Sequence, residues 1–339
     1  MFLAPLFVRQ RIPRVVRSGR LDGARRLGRE GPCSHGALPA RRGGSPCLVC
    51  ILVMIFLALS QATTWADTSR LWEQVSGEKA LEHVQRLVDL GPRPPGSEAI
   101  EKARVYLEEQ LQSTGWKVSR QGFTEETPRG KMNFVNLIAT RPGGATPQFL
   151  LCSHYDTKIF ETVRFVGAND GGSSTGLLLE MARVLAQDPA RAARVELVFF
   201  DGEEAFENFS ETDGLYGSRY FAHQLGTGKA KFQGGILLDM VGDRSLIITL
   251  PPDSPPAMAR AIFAAADALK VRDHFTYFDR EILDDHTPLN VAGVPTIDLI
   301  DFDFPPWHTA ADTMDKLSAE SLRIVGSVAL YYLSQSALK

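Results

Sequence analysis

Val195-Glu-Leu-Val-Phe-Phe200 runs directly into Asp201-Gly202-Glu203-Glu204. A short run of β-type residues that stops at a turn is a strand, and one this apolar is covered on both faces. Similar runs lie on either side of it: Trp116–Phe123, Phe134–Thr140, Phe149–Ser153, Gly235–Val241, Leu246–Leu250 and Pro295–Ile300. Helical spacing fills the intervals at Glu78–Leu90, from Ser97 to Gly115, and at Gly172–Leu185, Gly217–Leu225, Pro256–Leu269 and Ser318–Leu333. Strands alternating with helices predict an α/β protein. The expectation is a single-domain three-layer sandwich: a mixed, mostly parallel central sheet with helices on both faces. The paired runs at 116–140, with no helix between them, account for the mixed character.

In such a sheet, ligands bind beyond the carboxyl ends of the strands. His154-Tyr155-Asp156 follows one strand run, and Asn169-Asp170 comes soon after. Glu203-Glu204, Asp239 and Trp307-His308 follow three others. Histidine with carboxylates and no thiolate is the donor set of a hydrolytic zinc site. Two adjacent glutamates at the end of an apolar strand repel each other. A cation that takes one relieves the repulsion and leaves the other as a base. Singly, each cluster has a plainer reading: Asp170 as a helix cap, Asp239 as a hydrogen-bonded buried acid, His308 as a packed loop residue.

The chain has 339 residues and a net charge of −3, and the charge is unevenly spread. Residues 1–46 hold ten Arg and no Lys against Asp22 and Glu30, so the part from Asp67 onward is near −11. No basic stripe for nucleic acid is present there. Residues 47–62, Cys-Leu-Val-Cys-Ile-Leu-Val-Met-Ile-Phe-Leu-Ala-Leu-Ser-Gln-Ala, are apolar and follow Arg41-Arg42. The run is short for a membrane span of ~20 residues. Thr64-Trp65-Ala66 has the small-residue pattern of a signal-peptidase site. Residues 1–66 are therefore read as an extension carrying a secretory signal, with an uncleaved N-terminal membrane anchor as the alternative. Residues 67–339 are read as the catalytic domain, secreted or periplasmic. Cys33, Cys47 and Cys50 lie in the extension, so Cys152 alone remains and forms no internal disulfide.

The order His154, Asp170, Glu203-Glu204, Asp239, His308 resembles the zinc aminopeptidase superfamily that includes glutaminyl-peptide cyclotransferases. The resemblance covers about residues 70–335. Several stretches are closer to the cyclase branch: His154-Tyr-Asp-Thr-Lys158, Phe165-Val-Gly-Ala-Asn-Asp170, Asp201-Gly-Glu-Glu-Ala-Phe206, Asp213-Gly-Leu-Tyr-Gly-Ser-Arg219, Asp284-Asp-His-Thr-Pro288 and Trp307-His-Thr309. The resemblance implies one Zn2+ held by Asp170, Glu204 and His308, with Glu203 as acid and base. It implies a carboxylate network of Asp239 and Asp284 around the substrate, which is a peptide or protein N-terminus, and a pocket walled by Trp307. In the dizinc aminopeptidase pattern, His154 and Asp239 bind a second zinc and Asp170 bridges the two.

Some positions depart from the pattern. Phe209 stands where animal cyclases carry a Trp, and Phe304-Pro-Pro-Trp307 is one residue shorter than its counterpart. Ser153 and Thr175 take the places of a disulfide seen in animal members. Two further readings compete. Gly172-Ser-Ser-Thr-Gly176 fits the G-x-S-x-G elbow of serine hydrolases, with Ser174, Asp239 and His308 as a triad. A domain that kept the fold and lost the metal would lack a ligand, and none is missing here. The expectation adopted is the cyclase with one zinc, a contact between the Asp239 and Asp284 carboxylates, and His154 outside ligand distance.

Overall fold

The computed structural model describes residues 68–143, 146–226 and 232–339. The predicted signal and anchor region at 1–66 lies outside them. No helix among the described residues is long and apolar enough to cross a membrane.

The main sheet has six strands: β1 (Lys117–Thr127), β2 (Gly130–Thr140), β3 (Phe149–His154), β4 (Val195–Phe200), β5 (Gly234–Asp239) and β8 (Thr296–Ile300). They lie in the order β1-β2-β4-β3-β5-β8. β4, β3, β5 and β8 are mutually parallel, and the β1–β2 hairpin adds two antiparallel strands at one edge. This is the mixed, mostly parallel sheet that the alternation predicts. The run ending at Leu250 does not join it. β6 (Ile248–Leu250) pairs in parallel with β7 (Phe275–Tyr277) in a separate two-stranded sheet.

The eight helices among the described residues are α1 (Gly77–Asp89), α2 (Glu98–Ser113), α3 (Gly172–Leu185), α4 (Pro189–Ala192), α5 (Tyr216–Leu225), α6 (Pro256–Ala268), α7 (His286–Val291) and α8 (Ala319–Tyr332). Side-chain alternation divides them between two layers. Leu151, Leu197, Phe199, Ile236, Leu238, Ile297 and Leu299 pack in one core with residues of α1, α2, α3, α6 and α8. Leu150, Cys152, Val198, Phe200 and Leu237 pack in a second core with Phe221 of α5 and Leu289 of α7. The β4 run is apolar almost throughout because it serves both cores.

Ser76, Ser97 and Ser318 cap α1, α2 and α8, each accepting a backbone N–H from three residues on. Gly176 lets α3 lie against α1. A Cβ there would stand 2.6 Å from Val84 Cγ2 and 2.8 Å from the Ala80 carbonyl.

One buried ion pair ties α2 to the strand that leads into the paired glutamates. Arg104 donates to Asp201 Oδ2 at 2.6 Å and to the Tyr155 hydroxyl at 2.8 Å. The same Asp201 oxygen accepts the Val135 backbone N–H at 2.7 Å. Burial pushes the Asp201 carboxyl up to about 7, and Arg104 opposes that rise. Arg104→Met leaves this carboxylate in the interior without its cation. The expected loss is about 3–5 kcal/mol of unfolding free energy, measured by urea denaturation, while Arg70→Met at the exposed Arg70–Glu73 pair costs about 1 kcal/mol or less.

Candidate metal centre and active site

Parallel strands bring their carboxyl ends to one edge, and the polar residues collect there. His154 and Asp239 are the last residues of β3 and β5. Those strands are neighbours with Phe149 opposite Gly234 and Cys152 opposite Leu237. Two residues further on, the register sets His154 beside Asp239, with Nε2 and Oδ1 3.2 Å apart.

Asp170 comes from the loop before α3. Its backbone N–H donates to Asp312 Oδ2 at 3.1 Å, and that of Asn169 donates to Asp312 Oδ1 at 2.7 Å. Gly171 follows at φ +72°, and a Cβ there would meet the Asp156 carbonyl at 2.7 Å and His154 Cε1 at 2.9 Å. Only glycine fits this turn without a clash. Arg93, fully buried, donates to five backbone carbonyls, those of Leu87, Gly91, Tyr155, Val166 and Gly167. It thereby ties the loop before Asp170 to β3. Burial lowers the Arg93 guanidinium to about 10, and Asp156, Asp312 and Asp170 oppose the fall. Its charge therefore serves these three acids.

The paired glutamates are held from behind. Asp156 accepts the backbone N–H of Glu203 through Oδ1 at 3.1 Å and that of Glu204 through Oδ2 at 3.3 Å. Lys158 adds its own backbone N–H to Glu204 Oε1 at 3.2 Å, and its ammonium to the Ala205 carbonyl at 2.6 Å. The side chains of Glu203 and Glu204 therefore point away from an anchored backbone.

His308 closes the arrangement from the loop after β8. Its Nε2 lies 3.3 Å from Asp170 Oδ2 and 3.2 Å from Glu204 Oε2. Its backbone is left-handed, at φ 55°. Trp307 stacks on the ring at 4.1 Å, and Phe160 and Phe165 meet it edge-on at 5.9 and 5.8 Å. Both Asp170 Oδ2 and Glu204 Oε2 are buried and lack a hydrogen-bond partner among the described residues.

Asp170 faces two ways. Its Oδ1 is 3.3 Å from His154 Nε2. Two sets of donor atoms thus share it: Asp170, Glu204 and His308, and His154, Asp170 and Asp239. His154, expected outside ligand distance of the zinc, belongs to the second set and not to the first. The β3–β5 register brings it to Asp239, and its other ring nitrogen lies 3.4 Å from Asp156 Oδ1. The expected hydrogen bond between Asp239 and Asp284 is not formed among the described residues. Asp284 Oδ1 accepts the Asp285 backbone N–H at 2.5 Å, and Oδ2 has no partner. Asp284 instead groups with His286 and Asp298, which do not line the cavity that Asp284 itself reaches.

The charges push one another. Burial raises the Glu203 carboxyl well above the usual range. His154 opposes the rise, while Glu204, Asp284 and Asp285 add to it. Burial also raises Asp239 to about 7 against the pull of His154. Asp170 goes the other way. In spite of its burial, the adjoining His154 and His308 imidazoles hold it below the usual range. Burial would lower His308, but Asp170 and Glu204 raise it to about 9.

In front of these groups lies a cavity of about 200 Å³. Glu203, Asp239 and Asp284 reach it, and Phe209, Met240, Ile282, Ile300, Phe302 and Trp307 supply its apolar walls. Of the residues picked out from the strand ends, Asp170, Glu203, Glu204, Asp239, Trp307 and His308 line it, and His154, Tyr155, Asp156 and Asn169 lie behind them. The competing serine does not. Ser174 is inside α3 and fully buried, and its hydroxyl has no partner among the described residues. Ser153 Oγ and Thr175 Oγ1, in the places of the animal disulfide, are 3.2 Å apart and share a hydrogen bond.

Residues 136–333 match the model of peptidase family M28. A glutaminyl-peptide cyclotransferase-like protein of Bos taurus is 31% identical over 84% of this chain and 90% of its own length. This chain belongs to the glutaminyl-peptide cyclotransferase branch of family M28. A crystal structure of a glutaminyl cyclase from an Acidobacteriales bacterium superposes with a TM-score of 0.72 at 32% identity, over 78% of this chain and 95% of that one. A Zn-dependent exopeptidase from Parabacteroides distasonis has a TM-score of 0.69 at 26% identity, over 77% of this chain and 98% of that one. The M28 match covers β2 through α8, and so every strand end that carries a site residue.

Three residues of this M28 domain bear on the site without a role assigned from the sequence: Asp156 and Asp312 accept the backbone N–H groups of site residues, and Asp298 lies beside Asp284. Asp298 had a signal, an acid in the middle of the buried strand Thr296–Ile300. Asp312 had none, because its partners are backbone amides 142 and 143 residues away. Asp156→Asn tests the anchoring of the glutamates. The amide keeps one acceptor oxygen and turns the other into a donor facing a backbone N–H. The expected cost is about 1–3 kcal/mol in urea unfolding, together with lowered metal content in the purified protein.

Proposed function

We propose that this protein cyclises N-terminal glutaminyl residues of peptides and proteins to pyroglutamyl residues and releases ammonia, using zinc held by Asp170, Glu204 and His308. The observation that carries this is the convergence of Asp170 Oδ2, Glu204 Oε2 and His308 Nε2 beside Glu203 at a small, apolar-walled cavity. The donor set fits the metal. Ligand atoms ~2.0 Å from a tetrahedral zinc stand about 3.3 Å from one another. The two measured separations, 3.3 and 3.2 Å, agree with that spacing. Among the described residues the two carboxylate oxygens are buried and form no hydrogen bond, as oxygens meant for a cation would be.

Zinc bound there supplies Lewis-acid polarisation of the side-chain amide carbonyl. The chain's own residues do the rest. The cavity takes the glutaminyl side chain against Phe209 and Trp307. Glu203, made more basic by burial and by its acidic neighbours, accepts a proton from the α-amine as the nitrogen bonds to the side-chain carbonyl carbon. It returns that proton to the amide nitrogen as the carbon–nitrogen bond breaks, so ammonia leaves neutral. Asp239 and Asp284, both reaching the cavity, accept hydrogen bonds from the substrate amine and amide.

One observation favours a second reading, an aminopeptidase with two zinc ions bridged by Asp170: the grouping of His154, Asp170 and Asp239. In the one-zinc reading the His154 ring itself fills this place, with Nε2 between Asp170 Oδ1 and Asp239 Oδ1. With residues 47–66 as a secretory signal, the substrates are peptide and protein N-termini outside the cytoplasm.

Zinc per chain, measured on purified protein with turnover of N-terminal Gln and N-terminal Leu peptides, separates the readings. One zinc with pyroglutamate and ammonia from the Gln peptide is expected. Two zinc ions and free Leu, with the Gln peptide left open, would overturn the cyclase. Glu203→Gln is expected to keep its zinc and lose about 10²–10⁴-fold in kcat. Glu204→Gln is expected to lose zinc, and dialysis against a chelator to abolish turnover until zinc is restored.

A further inference from the structure

The cavity holds little more than one side chain, yet its proposed substrate is the end of a polypeptide. The rest of that chain must leave past the mouth. At the mouth stands Leu283, 44% exposed, which lines both the cavity and a second, larger groove of about 1260 Å³. This groove lies between α5 and α7. Leu215, which precedes α5, with Arg219 and Ala222 of α5 form one side, and Leu283 in the loop before α7 with Thr287 and Val291 of α7 form the other.

Five large apolar side chains are exposed among the described residues. Three belong to these two connected spaces: Trp307 lines the cavity, Leu283 lines both, and Val291, 85% exposed, lines the groove. The groove offers no free guanidinium to an acidic partner. Arg219 is spent on the carbonyls of Glu211, Gly214 and Leu215. The remaining charged or titratable lining groups are Glu211 and His223. The ten residues of α5 extend for ~15 Å, the reach of about four residues of extended chain.

We propose that this groove binds the residues that follow the N-terminal glutamine, and that it selects uncharged, apolar side chains at the third to fifth positions of the substrate. The inference rests on the cyclase reading. It makes the enzyme one that reads several residues of its substrate, with Val291 as a specificity-determining contact outside the catalytic machinery.

The test compares kcat/KM for Gln-Ala, Gln-Ala-Leu-Val-Leu and Gln-Ala-Asp-Ser-Asp on the wild type and on Val291→Glu. The apolar pentapeptide is expected to exceed the dipeptide by roughly tenfold, through KM. Val291→Glu is expected to erase that advantage and leave dipeptide turnover unchanged, which also reports an intact fold. Equal kcat/KM for all three peptides on the wild type overturns the groove while the cyclase reading stands. A dimer that Val291→Glu converts to monomer in sedimentation, with no effect on the peptide series, assigns the groove to a second copy of the chain and overturns the proposal too. Failure to cyclise any of the three removes the cyclase reading, and this inference with it.

Discussion

Asp156 accepts one backbone N–H from each of two adjacent glutamates, and the geometry of the site depends on that contact. It joins the extension of β3 to the turn after β4, so the spacing of β3 and β4 becomes the spacing of His154 and Glu203. Because β3 pairs with β4 on one side and β5 on the other, the same strand also sets Asp239. Strand register is therefore a chemical constraint here. A slip of one residue in β3 would turn His154 to the other side of the sheet and draw Asp156 away from the amides it serves.

The second constraint is charge. Asp156, Asp170, Glu203, Glu204, Asp239, Asp284, Asp285 and Asp298 are all buried near one sheet edge. Against them the described residues bring Arg93, which is spread over five carbonyls, Lys158, whose ammonium is 3.8 Å from Glu204 Oε2, and the His154 and His308 imidazoles, both raised by the acids around them. So many acids in a dry interior require protons, cations or both. The metal and the shared protons are two answers to one imbalance. Asp170 falls because two histidines flank it, and Glu203 rises because Glu204, Asp284 and Asp285 add to its burial.

The sheet and most helices were legible because their cause is local. α3 was read as Gly172–Leu185 and ends there, since Gly171-Gly172 opens an apolar run. β6 was read as one of the strands because Leu246–Leu250 is apolar, but only three residues pair, and with a partner 27 residues on. α7 was missed because six residues with Pro288 inside show no helical period. In the site, residue types at strand ends gather His154, Asp170, Glu203, Glu204, Asp239 and His308, and the family resemblance singles out Asp170, Glu204 and His308 among them. Which of them touch was not legible. The nearness of His154 to Asp239 comes from strand order, and that of Asp284 to Asp298 from the packing of a loop on β8. Both are long-range facts with no local pattern behind them.

The His308 ring has aromatic faces against it from Trp307, Phe160 and Phe165, on a left-handed backbone that few residues other than glycine adopt. With His308 as the proposed zinc ligand, a ring so confined has little rotational freedom to lose when an ion arrives, so little ordering entropy opposes binding. The same crowding leaves the ring few ways to swing aside and let the ion go. On that reading the ion's residence time is set by hydrophobic packing as much as by donor strength.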